Sequence, residues 1–222
     1  MRVKINFEKG NRTFPSSTQD AILGYINSIL GENNSYHGKF SDYNVSDLQG
    51  EKIIDEEHRI IYPNGSHIYI SSPNMEFLTK FLMEGHKYQL NDMNVESIEV
   101  EPINVNSNYD IIRTYSPILI KKDDKQITFE DDDFIQILTD KSRKKLIHNG
   151  ISEKDANTLT FELFHSENGK VQKRRLHNIV NVGSHVMLIV KGKSYVRKRI
   201  YQLGLGYCTG CGFGFVNVKP NI

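Results

Sequence analysis

The hydrophobic spacing of this chain changes in a fixed order, strand, helix, strand, strand, helix, strand, and that order constrains the fold more than any single motif. Val3, Ile5 and Phe7 alternate with Arg2, Lys4 and Asn6, so Met1 to Glu8 reads as a strand with one buried face. Ser17-x-x-Asp20 has the form of a capping box, and Ile22, Tyr25, Ile26 and Ile29 follow at helical spacing up to Gly31. Between Lys52 and Ser71 two β-branched runs flank Asn64-Gly65, which predicts a hairpin turn. Pro73 opens a second helical stripe, Phe77, Leu78, Phe81 and Leu82, with Gly85 beyond it, and Val95 to Val105 alternates again. This β-α-β-β-α-β series is the split βαβ, or ferredoxin-like, unit.

The second half follows the same plan. Ile111 to Lys122 predicts a strand, and Thr128 to His148 a helix whose acidic first turn and basic last turn (Lys141, Arg143, Lys144, Lys145) suit the helix dipole. Leu159 to His165 and Val171 to His177 predict a hairpin across Asn168-Gly169. A strand (Val186 to Val190), a short basic helix (Tyr195 to Leu203) and a closing strand (Phe213 to Val218) complete the series. The halves share the order of elements and no repeated sequence. The expectation is an α+β chain of two tandem ferredoxin-like (RRM-like) domains, residues 1–110 and 111–222.

The net charge of +1 conceals a division. Residues 1–111 hold 9 Lys/Arg against 16 Asp/Glu, and residues 112–222 hold 19 against 11. Such asymmetry predicts that the second half meets a polyanion. At 38% hydrophobic and 25% charged, the chain is not disordered as a whole. No apolar run approaches the roughly 18 residues of a membrane span and the opening residues do not resemble a signal peptide, so the expectation is a soluble, cytoplasmic protein with no membrane partner. Cys208-x-x-Cys211 supplies too few ligands for a closed zinc site, and His58, His67, His86, His148, His165, His177 and His185 show no metal spacing. No metal or cofactor is expected. A redox or metal-binding domain built on the two cysteines is a distant alternative, since a thioredoxin-type pair needs a different strand-to-helix context.

The most unusual stretch is Gly204-Leu-Gly206-Tyr-Cys-Thr-Gly-Cys-Gly212-Phe-Gly214. Its glycines free the backbone to approach a ligand and to point N–H groups at phosphate oxygens, or let a helix pack tightly on a sheet. It is not a P-loop, because the Gly-Lys-Ser/Thr ending is missing. The two Gly-hydrophobic-Gly triplets separated by five residues resemble the glycine-rich loop of CRISPR-associated repeat-RNA endoribonucleases of the repeat-associated mysterious protein superfamily. Tyr36-His37-Gly38 after the first helix, the stretch Phe40 to Gly50, and Thr114-Tyr115-Ser116-Pro117-Ile118 agree with that resemblance. It implies two ferredoxin-like folds and metal-independent cleavage of CRISPR repeat RNA. Members commonly carry Lys or Arg between the triplets, whereas Tyr207 to Cys211 holds neither. Backbone contacts and Arg197 to Arg199 would then supply the positive charge.

Cutting RNA without a metal requires deprotonation of a 2′-hydroxyl, protonation of the leaving 5′-oxygen and stabilisation of the charge on phosphorus. Histidine suits either proton transfer. His37 stands in a polar stretch with Lys39 two residues on; by itself it reads as a solvated loop histidine, but the family's catalytic histidine lies in the matching place. By the same resemblance Tyr25 either assists catalysis or is a core aromatic, and Lys39 stabilises charge with Lys52 as its rival; Tyr36 is also available. Lys173-Arg174-Arg175, Arg197, Gly204, Gly206, Gly212 and Gly214 are the expected RNA contacts. The expected partner is CRISPR precursor RNA, with other effector subunits and a second copy of the chain as further candidates. The expected product ends are a 2′,3′-cyclic phosphate and a 5′-hydroxyl. The alternative is a non-catalytic RNA-binding subunit of a CRISPR effector complex.

Overall fold

The structure is a computed structural model that describes every residue except 11, 15–16, 32–35, 37–40, 177–178 and 220–222. The first half runs β1 (Arg2–Phe7), β2 (Thr13–Phe14), α1 (Gln19–Leu30), β3 (Asn44–Val45), β4 (Ile53–Ile54), β5 (Ile60–Ile61), β6 (Ser66–Ser71), α2 (Met75–Glu84) and β7 (Val95–Glu101). Its main sheet has the order β3-β6-β1-β7, all antiparallel. The alternation in β1 buries Val3, Ile5 and Phe7, and the register Val3↔Ile70 and Ile5↔Ile68 adds β6 to the same face. Ile22, Tyr25 and Ile26 of α1 and Phe77, Leu78 and Phe81 of α2 cover that face.

The second half runs β8 (Tyr109–Thr114), β9 (Ile120–Lys122), β10 (Lys125–Ile127), α3 (Phe134–His148), α4 (Glu153–Ala156), β11 (Thr160–Phe164), β12 (Lys170–Leu176), β13 (Ile179–His185), β14 (Met187–Lys191), α5 (Ser194–Leu203) and β15 (Val216–Val218). Its main sheet, β11-β14-β8-β15, repeats the first in order and sense. In each half the sheet order by position in the unit is second, third, first, fourth, so the chain is two tandem ferredoxin-like folds. Phe134, Leu138 and Leu146 of α3 and Val196 and Ile200 of α5 pack on Ile112, Phe161, Leu188 and Val190. A smaller cluster, Leu23, Leu119, Leu176 and Phe213, joins α1 to the second half. Among the described residues no helix is long and apolar enough to cross a membrane.

Several local expectations are corrected. The runs flanking Asn64-Gly65 do not pair with each other: β5 joins β2 and β4 while β6 joins β1 and β3, because only there do Ile68 and Ile70 find an apolar face. The expected hairpin across Asn168-Gly169 is also absent. His165 turns into the left-handed region (φ 51°) and a short 3₁₀ turn follows, so β11 pairs with β14, and β12 pairs with the unforeseen β13. The strand expected over Ile111 to Lys122 breaks at Ser116-Pro117, where the Ser116 hydroxyl accepts from the Phe215 N–H at 2.9 Å. Helix α3 starts at Phe134, not Thr128; the Thr128 N–H is held by Asp131 Oδ2 at 2.7 Å in a turn instead. Ser17 and Asp20 form no capping box, since α1 begins at Gln19 behind an uncapped Thr18.

Arg197 is corrected as an RNA contact. It is 0% exposed, paired with Asp110 at 2.5 Å, and it donates to the carbonyls of Gly192 (3.0 Å) and Ser107 (3.3 Å). The Tyr201 hydroxyl donates to the same carboxylate at 2.9 Å. This cation ties α5 to the start of β8, and no phosphate reaches it in the folded state. Removing one partner of a buried ion pair leaves an uncompensated charge. Asp110→Asn is therefore expected to lower the unfolding free energy by about 3–5 kcal/mol in urea titrations; a loss of under about 1 kcal/mol would show the pair to be dispensable.

Candidate nucleic-acid interface

Four segments meet between the two folds: the start of α1, the stretch 47–52, the β12–β13 hairpin and the glycine loop. The first three line a cleft of about 470 Å³ that includes Gln19, Asp47, Lys52, Lys173, Arg175 and His185, and the glycine loop is tied to it through Arg174 and Gln19. Arg174 organises it. Its guanidinium binds both carboxylate oxygens of Asp47 and donates to Gln172 Oε1 (3.1 Å), Gln19 Oε1 (3.3 Å) and the Gly212 carbonyl (3.3 Å). The Asp47 and Arg174 side chains are only 17% and 10% exposed. Burial pushes the Asp47 carboxyl above its ordinary range, with Arg174 pulling the other way.

Alternation along β12 separates the basic triplet. Arg174 faces the interior of the cleft, with its charge already matched, while Lys173 and Arg175 are exposed. On the exposed face the register sets Arg175 opposite Val180, and Val171 and Val180 are themselves exposed. A ribbon of cations interleaved with apolar side chains suits phosphates together with splayed bases. His185 is neutral at physiological pH. Burial and then Arg174 hold its pKa down to about 4, and its ring nitrogens lie 2.7 Å from Gln172 Oε1 and 3.2 Å from the Thr114 hydroxyl.

The glycine loop is packed rather than open. Gly212 has φ 80°, and a Cβ there would meet Gln19 Nε2 at 1.5 Å; Gly214 has φ 68° and would meet the Leu205 carbonyl at 1.8 Å. Side chains are excluded at both by conformation and by space. A Cβ at Gly204 would meet Asn44 at 2.5 Å, and one at Gly206 would meet the Leu119 carbonyl at 2.4 Å. The expectation that the loop's amides cradle phosphate is largely reversed. The N–H groups of Gly204, Leu205, Tyr207, Cys211, Gly212, Phe213 and Gly214 all bond within the protein. Gln19 Nε2 donates to the Cys211 carbonyl at 2.7 Å, which fastens α1 to the loop.

Lys145 is the residue whose role the helix-dipole argument missed. It is 5% exposed, and its ammonium donates to the carbonyls of Leu203 (3.4 Å), Gly204 (3.1 Å) and Gly206 (3.1 Å). A lysine three residues from buried Ser142 and seven from buried Leu138 falls on the buried stripe of α3, and that spacing was the available signal. Tyr25 is likewise a core residue. It is 2% exposed, its hydroxyl donates to the Gly85 carbonyl at 3.1 Å, and burial raises its phenol well above the ordinary value. The phenol stays protonated at neutral pH, and the side chain occupies the core position that was one of its two expected readings. Tyr36 packs edge-on against Phe77 at 4.9 Å. His37 and Lys39 lie outside the described residues. Lys52 lines the cleft.

Burial brings the Lys145 pKa down to about 7. The folded state therefore holds fewer protons than the unfolded chain from about pH 7 upward, and this lysine's contribution makes stability rise with pH through that window towards the pKa of about 10.4 of a free lysine. Lys145→Met is expected to flatten that rise in denaturant titrations between about pH 7 and 9.5. A variant as pH-dependent as the wild type would assign the rise elsewhere.

A family model for CRISPR associated protein Cas6, C-terminal, matches residues 98–218. Three solved structures share the architecture, each with a TM-score of 0.78. One is an RAMP protein binding different RNA substrates, 20% identical, with 99% of this chain and 100% of that one covered. A CRISPR associated protein Cas6 is 23% identical, with 99% of both chains covered. The product of a Cas6-related gene from Pyrococcus furiosus is 21% identical, with 100% of this chain and 99% of that one covered. No curated protein sequence matches the chain. With more than half of its length matched by the family model, the second ferredoxin-like fold and the glycine loop included, the chain belongs to the Cas6 family of CRISPR-associated proteins.

Proposed function

We propose that this chain is the endoribonuclease that cuts CRISPR repeat RNA in precursor transcripts, and that it does so without a metal. The observation that carries this reading is the cationic cleft between the folds, where Lys52, Lys173 and Arg175 lie with the N-terminal end of α1. Cas6 proteins process CRISPR repeat RNA, and the cationic face suits that substrate. In the reaction a general base takes the proton of the 2′-hydroxyl, the 2′-oxygen bonds to phosphorus and the bond to the 5′-oxygen breaks. A general acid returns a proton to that 5′-oxygen. The products are a 2′,3′-cyclic phosphate and a 5′-hydroxyl. His37 is the proton-transfer residue of this proposal, and Lys39 or Lys52 supplies the charge that offsets the crowded oxygens on phosphorus. Residues 1–110 carry the chemistry and residues 111–222 most of the grip.

The second reading, a non-catalytic RNA-binding subunit, draws support from Tyr25, whose hydroxyl is sealed against Gly85. Incubation with the repeat RNA encoded beside the gene, in excess chelator, separates the two. Cleavage is expected, and His37→Ala should slow it by about 10²–10⁴-fold while leaving affinity nearly intact. Unchanged single-turnover cleavage by that variant would overturn the assignment, and no cleavage by the wild type would favour the binding subunit.

The salt dependence of binding tests the hairpin. Because Arg174 is neutralised by Asp47, Lys173 and Arg175 are the two of the hairpin triplet expected to contact phosphates. Replacing both by alanine should reduce the slope of log affinity against log salt by about 1.4, at roughly 0.7 per contact to single-stranded RNA. A wild-type slope would place the RNA on another surface.

A further inference from the structure

A second cleft borders the glycine loop at Tyr207. It has a volume of about 470 Å³ and is lined by Lys121, Lys122, Asp123, Asp124, Ile137, Lys141 and Tyr207. Three elements build it. The Tyr207 N–H donates to the Leu119 carbonyl at 2.8 Å, which anchors the loop beside the entry to β9. Helix α3 places Lys141 and Lys145 four residues apart on one face. Lys145 goes beneath the loop to its carbonyls, while Lys141 reaches the loop's rim, 4.5 Å over the Tyr207 ring and bonded to its hydroxyl.

The charges in this cleft are unevenly matched. Lys122 pairs with Asp133, whereas Lys121 and Lys141 join no ion pair among the described residues. Asp123 and Asp124 sit in left-handed positions (φ 47° and 63°) on the turn that joins β9 to β10. Lys121 and Lys141 thus leave positive charge for an anion in the cleft that Tyr207 lines, with Lys141 already at its ring. Tyr207 itself is half-buried, an aromatic held in place by a loop most of whose N–H groups are bonded internally.

We propose that this cleft is a nucleotide subsite, in which one base of the RNA stacks on Tyr207 and the neighbouring phosphates are taken by Lys121 and Lys141. The proposal rests on the RNA-binding function above. Lys141 exchanges its contact with the half-buried ring for a phosphate as the base arrives, an exchange that favours the anion because a full charge pairs more strongly than a ring face. The positive charge absent from the loop's own five central residues is thus delivered by side chains of α3 and β9. Arg197, the loop's neighbour in sequence, is committed to Asp110.

The chain contains no tryptophan, so Tyr207→Trp introduces a single fluorescent reporter into the subsite. Titration of this variant with the repeat RNA should quench its emission as a base stacks on the indole, with affinity kept. In parallel, Tyr207→Ala should weaken binding by roughly 5- to 150-fold, the range set by loss of one base-aromatic stack, while Tyr207→Phe should bind as the wild type does. Lys121→Ala with Lys141→Ala should reduce the salt slope by about 1.4. Unchanged emission at saturating RNA, together with wild-type affinity for Tyr207→Ala, would overturn the subsite and leave the RNA-binding reading standing. A wild-type protein that fails to bind the RNA would overturn both. Tyr207→Phe and Tyr207→Trp keep the aromatic ring, so a general folding defect in Tyr207→Ala cannot imitate the quench.

Discussion

Arg174 is the point at which the two ferredoxin-like folds become one site. Its two terminal nitrogens make five hydrogen bonds, to Asp47 and Gln19 from the first half and to Gln172 and the Gly212 carbonyl from the second. A planar guanidinium fixes direction as well as distance, which an ammonium in the same place would not. Desolvation offsets most of the attraction in a pair buried this deeply, so the effect of the contact lies in register more than in net stability. The register matters because the cleft is lined by residues of both halves. Its walls are a strand of the second half and a stretch of irregular chain, 47–52, whose course depends on Asp47 being held.

The glycine loop obeys a complementary constraint. Gly212 and Gly214 allow the backbone to come so close to Gln19 and to Leu205 that no side chain would fit. Close approach leaves carbonyl oxygens crowded inside, and Lys145 answers them with a buried ammonium. An ammonium charge is costly to bury, which is why its pKa falls. Since most of the loop's N–H groups are bonded internally, it acts towards RNA as a rigid wall and not as a flexible cradle. What the wall presents is then a matter of the side chains on its rim.

The architecture was legible because it depends on spacing. Val3, Ile5 and Phe7 on one face, and Phe77, Leu78 and Phe81 on another, suffice to order the elements whatever the turns do. Turn chemistry was read less well. Asn64-Gly65 has the right composition for a hairpin, yet its flanking strands serve different sheets, because burial of Ile68 and Ile70 outweighs a local preference. The site was legible only as a list of residue types. Lys173, Arg174 and Arg175 look equivalent in sequence; strand alternation makes one of them a buried partner and leaves two free. Asp47 and Gln19 carry no motif, and only the packing of one half on the other gives them a role.

The same distinction changes what the charge asymmetry means. The second half carries 19 of the 28 Lys/Arg residues, and that surplus points to a polyanion. Several of these cations are turned inward, however. Arg197 lies on Asp110, Arg174 on Asp47, Lys145 on the loop carbonyls, and Arg143 on the carbonyls of Asn157 and Leu159. Arg143, held only by carbonyls, contributes in full to the long-range field that draws RNA towards this half, whereas carboxylates offset Arg174 and Arg197, and burial leaves Lys145 only partly charged near neutral pH. These inward cations do not release counterions at a phosphate, because no phosphate reaches them. Attraction and contact are therefore divided between different residues. The buried cations shape and bias the surface, and a smaller exposed set, on the hairpin and along the rim of the glycine loop, is left to touch the RNA.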